Sequence, residues 1–290
     1  MEREEGLSIL ASRGWLAGTP PEFRKRFLSA ARWRFIERGA IVTLGGEERS
    51  DFIGLAAGTV TVTSALGNAA TPVMHMAHAV LWMGYGPLLL ERPRVVTVEA
   101  RTDLWIAVIP KASILPMLDE TTSWWRCFTR LLAEYGDISA MIASDLLIRQ
   151  SDRRLAATIL RFAGLRGLYP DQPEQVRIEV TQTELAEATN LSRNATGTIL
   201  RRLAAKGHIR TDYRGIVVCA PASLRQLVDK RLLVVRLRHS LRLPARTATH
   251  SPQLFSLYPV RKIQATMAMQ TTRKTSVAAR LTQTFTSEMP

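Results

Sequence analysis

Residues 181–206 read TQTELAEATNLSRNATGTILRRLAAK, and this stretch decides the fold of the C-terminal part of the chain. Thr181 and Glu184 have the Thr-x-x-Glu spacing of a capping box, in which a hydroxyl and a carboxylate satisfy free amides at a helix start. A first helix is therefore expected to begin at Thr181. It should end at Thr189-Asn190, because asparagine tolerates a left-handed turn. Ser192 is a favourable N-cap and predicts that a second helix follows at once.

The second helix is expected to bury one face and to expose its first residues. Its core-facing residues recur every four positions: Ala195, Ile199 and Leu203. The exposed start then carries Ser192, Arg193 and Asn194. In a helix-turn-helix, these first residues reach base edges in the major groove of double-stranded DNA. Arginine can donate twice to guanine, and asparagine can pair with adenine.

A predicted hairpin follows directly, with the sequence HIRTDYRGIVVC at residues 208–219. Ile209, Ile216 and Val218 favour strands, and Tyr213-Arg214-Gly215 predicts the turn between them. Two helices and such a hairpin have the layout of a winged helix-turn-helix. Arg210 and Arg214 would then touch phosphate. The alternative is a small helical subdomain in which the arginines are ordinary solvated charges.

From Val180 to Val228 the chain resembles the DNA-binding domain of the Crp/Fnr family of bacterial transcription regulators. The matching stretches are VTQTELAEATNLSR, TGTILRRL and the segment PASLRQL after the wing. The resemblance implies that Thr181 and Gln182 contact the DNA backbone and that Arg201 is a basic position of the recognition helix. The family usually has Glu where this chain has Asn194, and often Arg where it has Thr198, so the operator sequence does not transfer. The predicted DNA-binding residues are Thr181, Gln182, Ser192, Arg193, Asn194, Thr198, Arg201 and Arg214.

Residues 1–120 are predicted to be mainly β. After one or two small helices around Pro21–Ala31, short apolar runs alternate with turn residues, which favours a sandwich or jelly-roll barrel. The predicted strands are Phe52–Leu55, Val60–Thr63, Val73–His78, Val95–Ala100 and Leu104–Ile109. Upstream of a Crp/Fnr-like domain, this part resembles the family's cyclic-nucleotide-binding-type sensor domain, with turns at Gly39, Gly58 and Gly84.

The sequence argues against cyclic-nucleotide binding in the family's usual manner. Nucleotide-responsive members have Gly-Glu-Leu and then an Arg-Ser or Arg-Thr pair, whereas this chain has GYGPL from Gly84 and ERPRVV from Glu91. A cyclic phosphate needs a charge-assisted arginine contact, and the ribose needs an acceptor. Arg94 is the best single candidate for an anion ligand, and Gly84 is the other predicted ligand-binding residue. The alternative is a surface arginine that flanks a strand.

A long helix is predicted over Thr122–Gln150. Its apolar stripe has coiled-coil spacing and consists of Phe128, Leu131, Tyr135, Ile138 and Ile142. In the Crp/Fnr arrangement this helix pairs with its twin, which sets two recognition helices about one helical turn apart on a palindromic site. We therefore expect a homodimer. The alternative is that the stripe packs on its own β domain. A further helix, Ser151 to about Gly167, leads into the DNA-binding domain.

Composition bounds the remaining possibilities. The 290 residues suggest two domains, and the net charge of +14 favours a polyanionic partner. Residues 231–290 carry +9 of that charge and are expected to be a mostly disordered basic tail. Two cysteines exclude a disulfide scaffold and a four-thiolate iron-sulfur cluster. With no signal peptide and no transmembrane run, a cytoplasmic protein that does not act at a membrane is expected.

The sequence therefore predicts an α+β chain in four parts. These are a jelly-roll sensor barrel of the cyclic-nucleotide-binding type (1–120), a dimerisation helix (121–150), a winged helix-turn-helix (151–230) and a disordered tail (231–290). The predicted function is a dimeric, sequence-specific transcription regulator without enzymatic activity, cofactor or metal. Its barrel would respond to an unknown signal, and RNA polymerase would be a further partner. The alternative function is a small-ligand-binding scaffold whose winged domain contacts protein.

Overall fold

The computed structural model describes residues 1–64, 72–166, 175–212 and 215–229. The N-terminal part starts with three helices, α1 (Arg3–Ser12), α2 (Gly14–Ala17) and α3 (Pro21–Ser29). The strands that follow are β1 (Arg32–Ile36), β2 (Ile41–Thr43), β3 (Phe52–Ala57), β4 (Thr59–Ser64), β5 (Val73–His78), β6 (Trp82–Met83), β7 (Val96–Ala100) and β8 (Leu104–Ile109), with helix α4 (Tyr85–Leu90) between β6 and β7.

These strands form two antiparallel sheets, with the orders β1-β8-β3-β6 and β2-β7-β4-β5. In the first sheet Phe35 pairs with Trp105, and in the second Thr61 pairs with Glu99. The predicted β sandwich is confirmed. The predicted turn glycines also hold, because Gly39, Gly58 and Gly84 all have positive φ, at 82°, 100° and 107°. The conformation is one that L side chains rarely adopt.

Aliphatic side chains and one methionine fill the space between the sheets: Ile53, Leu55, Val60, Ala77, Met83, Val98, Ala100, Leu104, Ile106 and Val108. Two helices follow the barrel, α5 (Lys111–Glu120) and α6 (Trp125–Leu146). The outer face of the first sheet packs on aromatic side chains from α2, α3 and α6 and on aliphatic side chains and a methionine from α5. Trp15 lies at the centre of this cluster, edge-on to Phe27 and Phe52, and its Nε1 donates to the carbonyl of Cys127 at 2.6 Å.

Helix α6 differs from the sequence prediction in its bounds and in the surface against which its apolar stripe packs. A 3-10 turn occupies Thr122–Trp124, and the helix ends at Leu146 rather than at Gln150. Phe128 and Leu131 are buried in the aromatic cluster of their own domain, and the Tyr135 hydroxyl donates to the carbonyl of Trp82. The first half of the predicted stripe therefore packs on its own barrel, as the alternative interpretation had it.

The C-terminal part contains α7 (Ser151–Phe162), β9 (Val176–Ile178), α8 (Gln182–Ala188), α9 (Arg193–Ala205), β10 (Ile209–Asp212), β11 (Gly215–Val218) and α10, a helix over residues 221–229. The strands form an antiparallel sheet in the order β10-β11-β9. Its core includes Leu160, Leu185, Leu203 and Val218, and Met76 of barrel strand β5 packs into the same cluster. The predicted winged helix-turn-helix is thus present and is packed on the barrel.

Two details of this part differ from the sequence predictions. Helix α7 ends at Phe162, because Gly164 turns the chain at a φ of 68°. Gly215 belongs to strand β11, opposite Asp212, rather than to the turn. A Cβ at Gly215 would lie 2.5 Å from the carbonyl oxygen of Ile178, so the close approach of β9 accounts for the glycine. The predicted tail, 231–290, lies outside the described residues.

A buried ion cluster connects the end of α6 with α7. The Asp145 carboxylate is fully buried, and it lies 3.3 Å from Nε of Arg161 and 2.8 Å from Nη2 of Arg166. Arg161 is itself only 1% exposed and also donates to the carbonyl of Met74 in β5, at 2.5 Å. Burial lowers the pKa of Arg161, and the Asp145 carboxylate opposes that shift. One cluster therefore connects α6, the barrel and the C-terminal domain.

Candidate nucleic-acid interface

The start of α8 has the predicted capping box. The Thr181 hydroxyl accepts from the Glu184 amide at 3.1 Å, and the Glu184 Oε2 atom accepts from the Thr181 amide at 2.7 Å. Both bonds satisfy amides that a helix start leaves free. Thr181 is exposed, and its contact to the DNA backbone stays a prediction.

The side chain of Gln182 connects helices α8 and α9, whereas the sequence predicted only a contact with DNA for it. Gln182 Nε2 donates to the carbonyl of Arg193, the first residue of α9, at 2.6 Å. A Cβ at Gly197 would lie 2.5 Å from the same Nε2 atom. Gly197 is therefore buried under Gln182. The mid-helix glycine, which costs about 1 kcal/mol relative to alanine, makes room for this contact.

The leading end of α9 projects from the domain. Ser192 caps the helix by accepting from the Ala195 amide at 3.2 Å, as predicted. Arg193 and Asn194 are exposed, while Ile199 and Leu203 are buried in the core. The fourfold spacing in the sequence therefore identified two of its three core positions correctly, while Ala195 is only partly buried. The tip carries the side chains that suit base recognition.

Two further predicted residues, Thr198 and Arg201, lie about one and two turns along α9 from Asn194, on the same exposed side. The Thr198 hydroxyl donates to the Asn194 carbonyl and accepts from Arg201 Nη2, both at 3.1 Å. Asn194 and Thr198 line an open cleft of about 760 Å³, whose opposite wall is the start of α7 at 150–153. The exposed positions from Arg193 to Lys206 include several basic side chains and no acidic one. This surface can accept a polyanion without repulsion from its own helix.

The strands of the wing place one predicted phosphate contact at the surface. Arg210 is exposed on β10, and the neighbouring Asp212 pairs with Arg177 of β9. Arg210 is the basic side chain that β10 presents. Arg214, the other predicted contact, lies outside the described residues together with Tyr213.

In the barrel, the two candidate ligand residues are brought together. A Cβ at Gly84 would lie 3.3 Å from Arg94 Nη1, and Arg94 Nη2 donates to the carbonyl of Asp51 at 3.0 Å. Arg94 is only 7% exposed, so the alternative of a surface arginine is wrong. Its Nε atom is buried and has no hydrogen-bond partner among the described residues. Burial lowers the pKa of Arg94, and the carboxylates of Glu47 and Asp51 oppose that shift.

The position after Gly84, where nucleotide-responsive relatives of this fold were expected to have glutamate, is taken by an aromatic residue that contacts α6. The Tyr85 ring stacks on Tyr135, with centroids 5.2 Å apart. Tyr85 therefore connects the barrel to the long helix and supplies no carboxylate. Within the described ranges, no three His, Cys, Asp or Glu side chains come together in a metal-binding arrangement.

The sandwich, the long helix and the winged helix-turn-helix together define a fold of two domains joined by a helix. Residues 153–227 match the family model of the Crp-like helix-turn-helix domain. The resemblance to the Crp/Fnr family that the sequence indicated is thereby confirmed for the C-terminal domain. No curated protein sequence matches the chain. Of the helices in the described ranges, none has the length and apolar composition of a bilayer-spanning segment.

Solved structures of regulators share this fold. A transcriptional regulator of the CRP/FNR family from Thermus thermophilus is 20% identical, with a TM-score of 0.53 over 69% of this chain and 100% of that one. A CRP-family regulator from the same organism is also 20% identical, with a TM-score of 0.53 over 67% and 96%. The c-di-GMP-responsive global regulator CLP of Xanthomonas campestris is 21% identical, with a TM-score of 0.50 over 69% and 99%. At these identities the likeness establishes the fold.

Proposed function

We propose that this protein is a sequence-specific, DNA-binding transcription regulator that acts as a homodimer and has no catalytic activity. The observation that carries the proposal is the exposed tip of α9, where Arg193 and Asn194 follow the Ser192 cap. Such a tip fits the major groove of B-form DNA and offers donors for guanine and adenine. Thr181 and Arg210 are exposed nearby and suit contacts to phosphate.

The homodimer proposal rests on a stripe of α6 that the described part of the chain leaves uncovered. Trp125, Leu132, Gly136, Ala143 and Leu147 are exposed and recur at helical spacing along one side. Among the described residues, no atom lies within 4 Å of a Cβ placed at Gly136. A second copy of the helix would cover the apolar residues, and the small residues would let the two backbones approach closely. This seam lies beside the stripe that the sequence predicted.

We expect the barrel to act as a sensor of a signal other than a cyclic nucleotide held in the usual manner. Tyr85 replaces the ribose-binding glutamate, and aliphatic side chains fill the barrel. Arg94 and Gly84 remain the candidates for an anion ligand, because the guanidinium is enclosed and keeps an unused Nε donor. RNA polymerase is proposed as a further partner and the cytoplasm as the location, because both follow from transcriptional control.

The test of DNA recognition compares two arginines. Duplexes are selected from a random pool with the full chain, and affinity is then measured by fluorescence anisotropy. Arg193→Ala should cost about 1–3 kcal/mol and relax base preference at one position of each half-site, because a base contact is lost. Arg210→Ala should weaken binding to all sequences alike and reduce the salt dependence, because a phosphate contact is lost.

Two results would contradict the proposal. If Arg193→Ala left affinity and base preference unchanged, α9 would not be the reading helix. If the wild-type chain selected no duplex at physiological salt, the alternative of a ligand-binding scaffold with a protein-contacting winged domain would stand.

A further inference from the structure

Polar contacts connect two turns of the barrel with the start of α8. Arg101, in the turn between β7 and β8, donates from Nε to the carbonyl of Glu179 at 2.8 Å and from Nη2 to Glu184 Oε2 at 2.7 Å. Arg38, just after β1, places its Nη2 atom 2.7 Å from Glu179 Oε2. We call these four residues the arginine–glutamate contact. It joins the sensor barrel directly to the helix-turn-helix.

The barrel presents the two arginines from turns whose backbones are fixed. The Arg38 amide donates to Asp103 Oδ1 at 3.0 Å, which ties the first turn to the second. The Arg101 amide donates to the carbonyl of Thr59 at 2.8 Å, and Thr59 begins strand β4. A change in the packing of the barrel strands would therefore move both guanidinium groups together.

On the C-terminal side of the contact, the Glu184 carboxylate accepts hydrogen bonds from both domains. Glu184 Oε2 accepts from Arg101 and also from the Thr181 amide, each at 2.7 Å. The residue after Thr181, Gln182, donates to the Arg193 carbonyl at 2.6 Å. A short path of charged and neutral hydrogen bonds thus runs from the barrel through the α8 capping box to the first residue of α9.

The contact is partly shielded from water, since the side chains of Arg101 and Glu184 are each 21% exposed. A charge-assisted bond in such a place is stronger than an open surface ion pair, and its geometry is defined by two acceptors at once. Glu184 also lies at the helix start where, under the proposed function, DNA phosphate would approach. Pairing with Arg101 neutralises a carboxylate that would otherwise repel that phosphate.

We propose that Arg101 is the positioning residue through which the barrel sets the orientation of the helix-turn-helix on DNA. Arg101 does not read DNA; it acts through Glu184 on the start of α8 and, by way of Gln182, on Arg193. A signal in the barrel would reach the reading tip by moving or releasing this contact. The inference rests on the proposed DNA-binding function, but the contact itself can be tested without DNA.

The first measurement is hydrogen–deuterium exchange of the full-length chain in the absence of DNA. Arg101→Ala should raise exchange at the amides of 179–184 about tenfold, because the charged bonds that hold the start of α8 are lost. Amides of the α9 core, 199–203, should be unchanged. Arg34→Ala is the matched control, because Arg34 is an exposed arginine of the same barrel, on β1. Equal exchange in Arg101→Ala and wild type would overturn the inference.

The second measurement is duplex affinity with the selected operator. Arg101→Ala should weaken binding roughly fivefold, and Arg34→Ala should change it much less. Glu184→Gln keeps an acceptor for the capping box, which tolerates glutamine, but removes the charge that Arg101 pairs with. If Arg101 acts through Glu184, the double variant Arg101→Ala/Glu184→Gln will be no weaker than the more affected single variant. Additive losses would contradict this mechanism.

A conservative variant separates positioning from general stability. Arg101→Lys keeps the charge but cannot reproduce the forked donation to two acceptors, so its exchange and affinity should lie between those of wild type and Arg101→Ala. If wild type binds duplex and Arg101→Ala binds equally well, the inference fails while the proposed function stands. If wild type binds no duplex, the proposed function fails. Hydrogen–deuterium exchange still shows whether the arginine–glutamate contact stabilises the start of α8.

Discussion

At the residue scale, His75 shows how burial constrains a titratable side chain. It lies on β5, with Arg161 and His78 as its charged or titratable neighbours. Burial, with Arg161 and then His78 adding to it, lowers the pKa of His75 from 6.5 to about 3. Its Nδ1 atom has no hydrogen-bond partner among the described residues. The folded protein therefore holds His75 in its neutral form.

This neutral histidine predicts an acid-sensitive stability. Between pH 6.5 and about 3 the unfolded chain binds a proton at His75 that the folded chain does not, so the free energy of unfolding should fall as pH is lowered. The slope from this residue is at most about 1.4 kcal/mol per pH unit. Urea unfolding at pH 7 and pH 5 should show the fall in wild type and a smaller fall in His75→Gln. An equal fall in both proteins would show that His75 is not responsible.

At the element scale, the uncovered stripe of α6 makes the dimer proposal testable. Leu132→Glu places a carboxylate in the proposed seam, and burying it against a second copy would be costly. Analytical ultracentrifugation should show a dimer for wild type and a monomer for Leu132→Glu. Ala133→Glu is the control, because Ala133 is exposed on the neighbouring side of the same helix. A Leu132→Glu protein that remains dimeric would place the interface elsewhere.

Elements with strong local signals were predictable from sequence. Strands Val73–His78 and Leu104–Ile109 were predicted to the residue, and the Thr181 and Ser192 caps were predicted because capping depends on neighbours three positions apart. Helix α1 was missed because it has little periodicity of its own. It is held by tertiary packing, in which Gly6 lies under the ring of Trp33. Strand β1, RWRFI, was missed because its charged residues hide the apolar pattern.

The candidate site likewise contains features that local sequence predicts and features that depend on tertiary packing. Arg193 and Asn194 could be placed from helix periodicity and the N-cap alone. The bond from Gln182 to the Arg193 carbonyl and the ion pair from Arg101 to Glu184 could not, because they join residues 11 and 83 positions apart. Such contacts depend on how whole elements pack. Sequence patterns within one element carry no information on them.

At the scale of the whole molecule, Asp145 connects the long helix, the barrel and the C-terminal domain. Asp145→Ala would leave the buried Arg161 charge unpaired and should lower the free energy of unfolding by about 3–5 kcal/mol. Guanidinium unfolding followed by tryptophan fluorescence would measure it. Adding Arg161→Met should restore much of the loss, since the unpaired charge is then gone. If Asp145→Ala were as stable as wild type, the ion cluster would not stabilise the contact between the two domains.

The arginine–glutamate contact also limits how this protein can be recombined with others. A chimaera that grafts residues 151–229 onto a foreign sensor would carry Glu179 and Glu184 without Arg38 and Arg101. The winged helix-turn-helix would be intact in such a chimaera, but it would lack the arginine–glutamate contact with the new sensor domain. A chimaera that responds to its sensor would also need the two barrel turns that carry Arg38 and Arg101. The segment that must be exchanged therefore extends beyond the boundary between the two domains.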